Sequence, residues 1–552
     1  MGEALEHYRT MPGGSAPTVK PGPQLVPPRT RDASRDGLRN RIEAALLTGL
    51  RPAWQFVNRR PALARLCNRV IVNRSVLKVP ARPLALSTEA PYTSWPSLTD
   101  RTWFSRYLPP RPAAELPPLD EVAALFRPGP HGPTGPRVSQ RSTLLFPCFA
   151  QWFTDGFMMT NDADRRRTTT NHQIDLSQLY GLHSEMTQAL RRRSEAPGQK
   201  GRLKSEMIGG EEWAPRLYDP AGRRNPEFAA LPTPLRLPDG WPAEKRARLF
   251  AFGGDRANTT PFTAALNTLF LREHNRLCGV LEQSWPDWDD ARVFETARNV
   301  NIVQLIKIVV EEYINHISPY WFSLLADPTP CWEASWNRQN WIPVEFNLLY
   351  RWHSLVPERV SWAGRLRPIV DMRLDNGPLL QSGLGTAFDE ASRTKAWQIG
   401  LFNTADFLLP AERASIAQGR ENQLAGYNDY RAAMGYPRVT RFEQISGDPR
   451  VVDGLRRVYG DVDRIEFFVG LFAEDVLPRA AEPKLIGRMV AADAFSHALT
   501  NPLLAPAVFN ESTFSPQGMQ SIRATSRLQH LLDRNAPGSG RASMEQDGAP
   551  PT

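Results

Sequence analysis

His353 closes the run Glu345-Phe-Asn-Leu-Leu-Tyr350-Arg-Trp352-His353, where an imidazole follows two oxidisable aromatic side chains. A lone histidine on an apolar helix is most often a hydrogen-bonded core residue. An imidazole is also a standard axial ligand of haem iron, and the cofactor then carries the oxidative chemistry. The apolar spacing predicts a helix over 342–353, which puts Tyr350 on the face of His353, three residues earlier. Beside a bound porphyrin, that phenol is placed to become a radical.

The elements that must hold these residues read as helices. Phe262, Leu266, Leu269, Phe270, Leu277 and Leu281 recur at helical spacing after Thr259-Thr260-Pro261, with the proline in the first turn. Val293, Ala297, Val300, Ile306, Val310, Tyr313 and Ile317 mark a second, longer helix. Helical periodicity also covers 141–158, 386–402, 411–435 and 484–500, and no strand ladder is visible. The predicted organisation is a disordered Pro/Arg-rich tail over 1–36, amphipathic helices over 37–80, one catalytic domain over 81–534 and a second tail over 535–552. The fold class is mostly α.

Composition narrows the function. The 552 residues are 41% hydrophobic with a net charge of +9, too modest an excess to argue for nucleic acid. Cys67, Cys148, Cys278 and Cys331 have no metal-like or disulfide-framework spacing. No basic stretch leads into an apolar run at the start, and no apolar run reaches 18 residues, so a cytoplasmic, peripheral protein is expected. Segment 38–78 threads short apolar stretches with arginines around the single acid Glu43. Such helices suit the interface of an anionic bilayer, although solvated arginines on ordinary surface helices give the same composition.

Several motifs in order carry a resemblance. EFNLLYRWH at 345–353, Leu271-Arg-Glu-His-Asn-Arg276 and Asp175-Leu-Ser-Gln-Leu-Tyr-Gly181 resemble signatures of the animal haem peroxidase superfamily, most closely its cyclooxygenase and fatty-acid dioxygenase branch. The similarity runs from about residue 38 to 534. It implies haem b on a proximal His353, with Asn428 beside it and Tyr350 as the radical tyrosine. Arg74 and Tyr320 match the pair that holds a substrate carboxylate. Tyr313 matches the hydrogen-bonding partner of the radical tyrosine, and Phe495-Ser496 a pair lining the channel. The 50–110 segment resembles membrane-binding helices, which favours the bilayer reading of 38–78. The cysteine-rich amino-terminal module of animal cyclooxygenases has no counterpart before Cys67.

The distal side departs from the family. Gln151-Trp-Phe-Thr-Asp155 aligns with a motif whose last residue is the distal histidine, and here it is Asp155. An ordinary aspartate, with a pKa near 3.9, shuttles protons poorly at neutral pH unless its surroundings raise that value. Arg256 resembles the distal arginine of the peroxidase branches; its other reading is a structural ion pair with Asp155. Thr154 and Thr259 replace the acids that tether haem, implying non-covalent haem. Gly156 replaces a calcium ligand; Asp175 and Ser177 remain, so calcium is not favoured.

These residues predict a haem-dependent dioxygenase of unsaturated fatty acids, using O₂ and a tyrosyl radical at a membrane surface. The competing readings are a peroxidase acting on small reductants and a weakly catalytic haem-binding membrane protein.

Overall fold

The structure is a computed structural model that describes residues 42–77, 87–90, 92–111, 115–129, 136–337, 341–477, 480–538 and 540–547. The expected tail over 1–36 lies outside the described residues.

Two long helices form the centre. Pro261–Ser284 starts where Thr260 accepts from Thr263 N–H and Pro261 occupies the first turn, where its missing N–H costs nothing. Asp290–Ile308 packs against it and against Glu511–Arg523. Two family-like motifs meet in this core: the Tyr180 hydroxyl lies 2.9 Å from His274 Nδ1, and Asn301 donates to it at 3.0 Å. All three side chains are buried, so these bonds satisfy polar groups that would otherwise be stranded.

The Asp290–Ile308 helix does not simply continue, as its apolar spacing predicts. It passes into a π turn, Val309–Ile314, and then a short α turn, Asn315–Ile317. A π turn inserts an extra residue and re-aims the side chains it carries. Tyr313 is one of them.

Two sequence expectations need correction. Residues 395–397, expected inside a helix, form a strand antiparallel to Val138–Thr143. The described part of the expected tail over 535–552 is packed as well. Thr143 N–H donates to Met544 O at 2.9 Å, Gln546 N–H donates to Arg141 O at 2.8 Å, and Ala542 and Met544 are buried. The open edge of Val138–Thr143 supplies backbone partners that a Gly- and Ser-rich composition does not reveal. Two short hairpins, Glu206–Trp213 and Arg359–Pro368, complete the strands among the described residues.

At the amino-terminal end, helices 42–49, Arg51–Asn58 and Pro61–Leu77 follow one another. Leu47, Ala64, Ile71, Val72 and Val76 face the protein, while Ile42, Leu46, Phe56, Leu66 and Val70 are exposed. Among the described residues, no helix is long and apolar enough to cross a membrane.

Candidate active site

The Val344–Leu349 helix stops at Tyr350, whose backbone (φ −94°, ψ 15°) leaves the helical region, and His353 opens a separate 3₁₀ turn. The shared helical face expected for Tyr350 and His353 is therefore absent, and Tyr350 packs on Trp352. Its indole stacks on Tyr350 with centroids 5.0 Å apart. His353 Nδ1 sits 3.2 Å from Glu412, out of line for a hydrogen bond. Glu412 is fully buried, and its other oxygen accepts from Thr404 at 2.9 Å. With Nδ1 turned toward this carboxylate, Nε2 is the ring nitrogen left for a metal. Asn428, matched to that neighbouring role, bonds Val439 and Asp463 instead. Nothing in the spacing around Glu412 marks it in the sequence.

Tyr350 also packs edge-on to Phe346, at 5.0 Å. Tyr313, from the π turn, stacks on Trp352 at 6.3 Å. The hydrogen bond expected between these phenols is not formed, since neither hydroxyl has a partner among the described residues, and burial pushes both well above the ordinary tyrosine range. Glu482 faces this pair; it is buried, neither of its carboxyl oxygens has a hydrogen-bond partner, and burial pushes its pKa well up. The Lys484–Leu499 helix lies against the Tyr350 helix, with His497 stacked on Phe346 at 5.3 Å. On it, Phe495 is buried and the Ser496 hydroxyl donates to Asp493 O at 2.9 Å.

The distal residues come from the Leu145–Thr154 helix and the loop before Pro261. Most of that helix is buried, yet Gln151 is exposed on it. Arg256 Nε stands 3.8 Å from Asp155 Oδ1, while Asp155 Oδ2 is buried without a hydrogen-bond partner. Burial raises the Asp155 pKa to about 7, against the lowering pull of Arg256 and with a further push from Asp255. Gly156 packs closely on the Gln178 side chain, whose Oε1 a Cβ would meet at 2.3 Å and displace. Asp175 and Ser177 are engaged locally: Ser177 N–H donates to Asp175 at 2.8 Å, and the Ser177 hydroxyl donates to Gly156 O at 2.6 Å. Among the described residues, no group of three or more acids, histidines or cysteines could hold a metal ion. Arg351 joins the two faces, feeling both Asp155 and Glu412, and burial lowers its pKa to about 10.

Arg74 pairs with Glu43 at 3.3 Å rather than with Tyr320. Tyr320 is nearby, its pKa raised by burial, lowered by Arg488 and raised again by Glu43.

The description "Animal haem peroxidase" belongs to a family model that matches residues 145–380 and 404–547. The chain belongs to that family. Prostaglandin G/H synthase 1 of Rattus norvegicus is 30% identical over 502 residues, covering 87% of this chain and 78% of that protein. Prostaglandin G/H synthase 2 of Bos taurus is 30% identical over 515 residues, covering 89% and 80%. Peroxidase A from Dictyostelium discoideum superposes with a TM-score of 0.65 at 18% identity, over 81% of this chain and 96% of that one. Fatty acid alpha-dioxygenase of Oryza sativa gives 0.64 at 16% identity, over 92% and 95%. Those two likenesses speak to the fold alone.

Membership makes this animal haem peroxidase an oxidoreductase with a haem cofactor. Its residues fit that group. His353 turns Nδ1 toward Glu412, Gln151 is exposed on a buried helix, and Asp155 has an unpartnered oxygen.

Proposed function

We propose that this enzyme oxygenates unsaturated fatty acids through a radical on Tyr350. The observation that carries the reading is the stack of Tyr350, partly buried, on the buried Trp352 and Tyr313, next to an imidazole whose Nδ1 faces a buried carboxylate. Haem held by His353 supplies the oxidising equivalent, drawn from a peroxide. Asp155, with its pKa near 7, takes the peroxide proton and returns it to the leaving oxygen, while Arg256 offsets the developing negative charge. Tyr350 gives one electron to the oxidising equivalent that haem supplies and releases its phenolic proton to solvent. The tyrosyl radical then takes a hydrogen atom from a bis-allylic methylene, restoring the phenol. O₂ adds to the carbon radical, and a hydrogen atom returned from Tyr350 completes a hydroperoxide and regenerates the radical.

Phe495 and Ser496 line the alkyl chain beside Tyr350, and the carboxylate end lies near Tyr320. The exposed Ile42, Leu46, Phe56, Leu66 and Val70, with arginines around them, support docking on an anionic membrane surface from which the substrate enters. A second reading, peroxidase turnover of small reductants, is favoured by Asp155 and Arg256 and uses the same haem. Oxygen uptake by haem-loaded protein with linoleate, products read by mass spectrometry, tests the first reading. Guaiacol turnover with peroxide tests the second.

A further inference from the structure

One side of the Pro261–Ser284 helix borders a cavity rather than packed side chains. Arg272, Asn275, Arg276 and Gly279 recur at three- and four-residue spacing, so they share that side. With Arg202, Arg534 and the turn of the Glu206–Trp213 hairpin they line a space of about 540 Å³, the size of a small-ligand pocket. Gly210 and Pro537 on its wall are exposed, so it opens to solvent. None of these residues belongs to the site around His353.

Four arginines line the cavity against two acids, and both acids are already engaged. Glu211 meets Arg272 at 2.8 Å, and Glu212 accepts from Asn275 at 2.7 Å. Arg272 is fully used, since it also donates to Glu212 O at 2.7 Å and to Asn535 O at 3.3 Å. The other three arginines keep donors to spare. Arg276 and Arg534 share one oxygen of the fully buried Glu273, at 2.8 and 3.1 Å. Arg276 spends Nε and Nη2 in this way, and its Nη1 makes no bond among the described residues. Arg534 Nε is buried without a hydrogen-bond partner. Arg202 donates through Nε to Gly198 O at 2.9 Å, and among the described residues its guanidinium forms no ion pair. Its Nη2 lies 3.4 Å from where a Cβ on Gly279 would stand, so the bare backbone there gives it room against the helix.

Three guanidiniums from three separate elements therefore border one cavity with unspent N–H groups. A planar carboxylate is served by the fork of a single guanidinium, whereas cations on several walls suit a tetrahedral, doubly charged group. A phosphate alone would fill a small part of the space, and the rest has room for an organic body. We infer that this cavity binds a small organic phosphate, with Arg202, Arg276 and Arg534 on its phosphoryl oxygens.

The test is calorimetric titration of the haem-loaded full chain at low ionic strength with phenyl phosphate, inorganic phosphate and phenylacetate. The Soret band and the unfolding midpoint check each variant's fold. Phenyl phosphate is expected to bind at least tenfold tighter than phenylacetate, and to raise the unfolding midpoint as a ligand of the folded state does. Arg202→Gln should fold, because it removes a single hydrogen bond, and should weaken phenyl phosphate ten- to a hundredfold. Gly279→Leu should abolish binding with every charge in place, since its side chain grows into the cavity and its Cβ meets nothing closer than 3.4 Å. Arg457→Gln, at an exposed arginine outside the cavity, should change nothing and so reports general attraction to a basic protein. No binding by the unaltered enzyme overturns the inference. So does binding that survives Arg202→Gln and Gly279→Leu, or that falls as far with Arg457→Gln. Phenylacetate or inorganic phosphate binding as tightly as phenyl phosphate would overturn the ligand class.

Discussion

On the proximal face, His353 meets a carboxylate that is fully buried and already bonded to Thr404. On the distal face, Asp155 meets Arg256 at only 3.8 Å and keeps one buried oxygen without a partner. The first has the histidine that the sequence resemblance leads one to expect, with a buried acid beside it. The second has an aspartate where the resemblance expects histidine, and burial moves it to about 7, where a histidine would titrate. Burial thus lets Asp155 titrate where a distal base must, which is what its proposed role requires.

His353→Ala breaks the proximal half outright. It should abolish the Soret band of haem-loaded protein, because the variant loses the imidazole proposed to hold the iron. An unaltered spectrum would place the ligand elsewhere.

Asp155→Asn tests the distal half. Peroxide turnover should fall about a hundredfold, the lower range for a positioned acid–base group. In the unaltered enzyme the same rate should rise with pH and level off above about 7. The sign follows from the shift: burial holds Asp155 protonated below about 7, and only the ionised form accepts a proton. A flat profile would return Asp155 and Arg256 to a structural pair. Asp155→His should keep turnover and move the inflection toward 6.5, the ordinary imidazole value.

Glu412→Gln should be milder. It keeps the shape and removes the charge facing Nδ1, so haem affinity should drop about tenfold, read by titration of the Soret band. Smallest is the effect of salt. Binding to anionic vesicles should weaken as ionic strength rises and screens the arginines of the first three helices. Salt-insensitive binding would leave only their apolar face as the anchor.

Much of this was legible from sequence where chemistry and helix punctuation coincide. Thr260-Pro261 announces the central helix, and the EFNLLYRWH run brings an oxidisable stack next to His353. The sequence does not show where a helix ends within an apolar run: Tyr350 and His353 look like one helical face until the backbone turns at Tyr350. Nor can periodicity reveal a π turn, which changes the aim of Tyr313 without changing the residues. Glu412 and Glu482 are distant in sequence from what they face, and an isolated charged residue carries no signal of its burial. Asn428 shows the converse, a motif-matched residue whose bonds go to Val439 and Asp463.

The account stands on Tyr350 as the hydrogen-abstracting group, and Tyr350→Phe tests it most directly. Phenylalanine keeps the ring that packs on Trp352 and Phe346 and removes only the oxidisable hydroxyl. Oxygen uptake with linoleate, measured beside the Soret band and guaiacol turnover, should vanish while the other two persist. Oxygen uptake that survives in Tyr350→Phe would contradict the tyrosyl-radical mechanism.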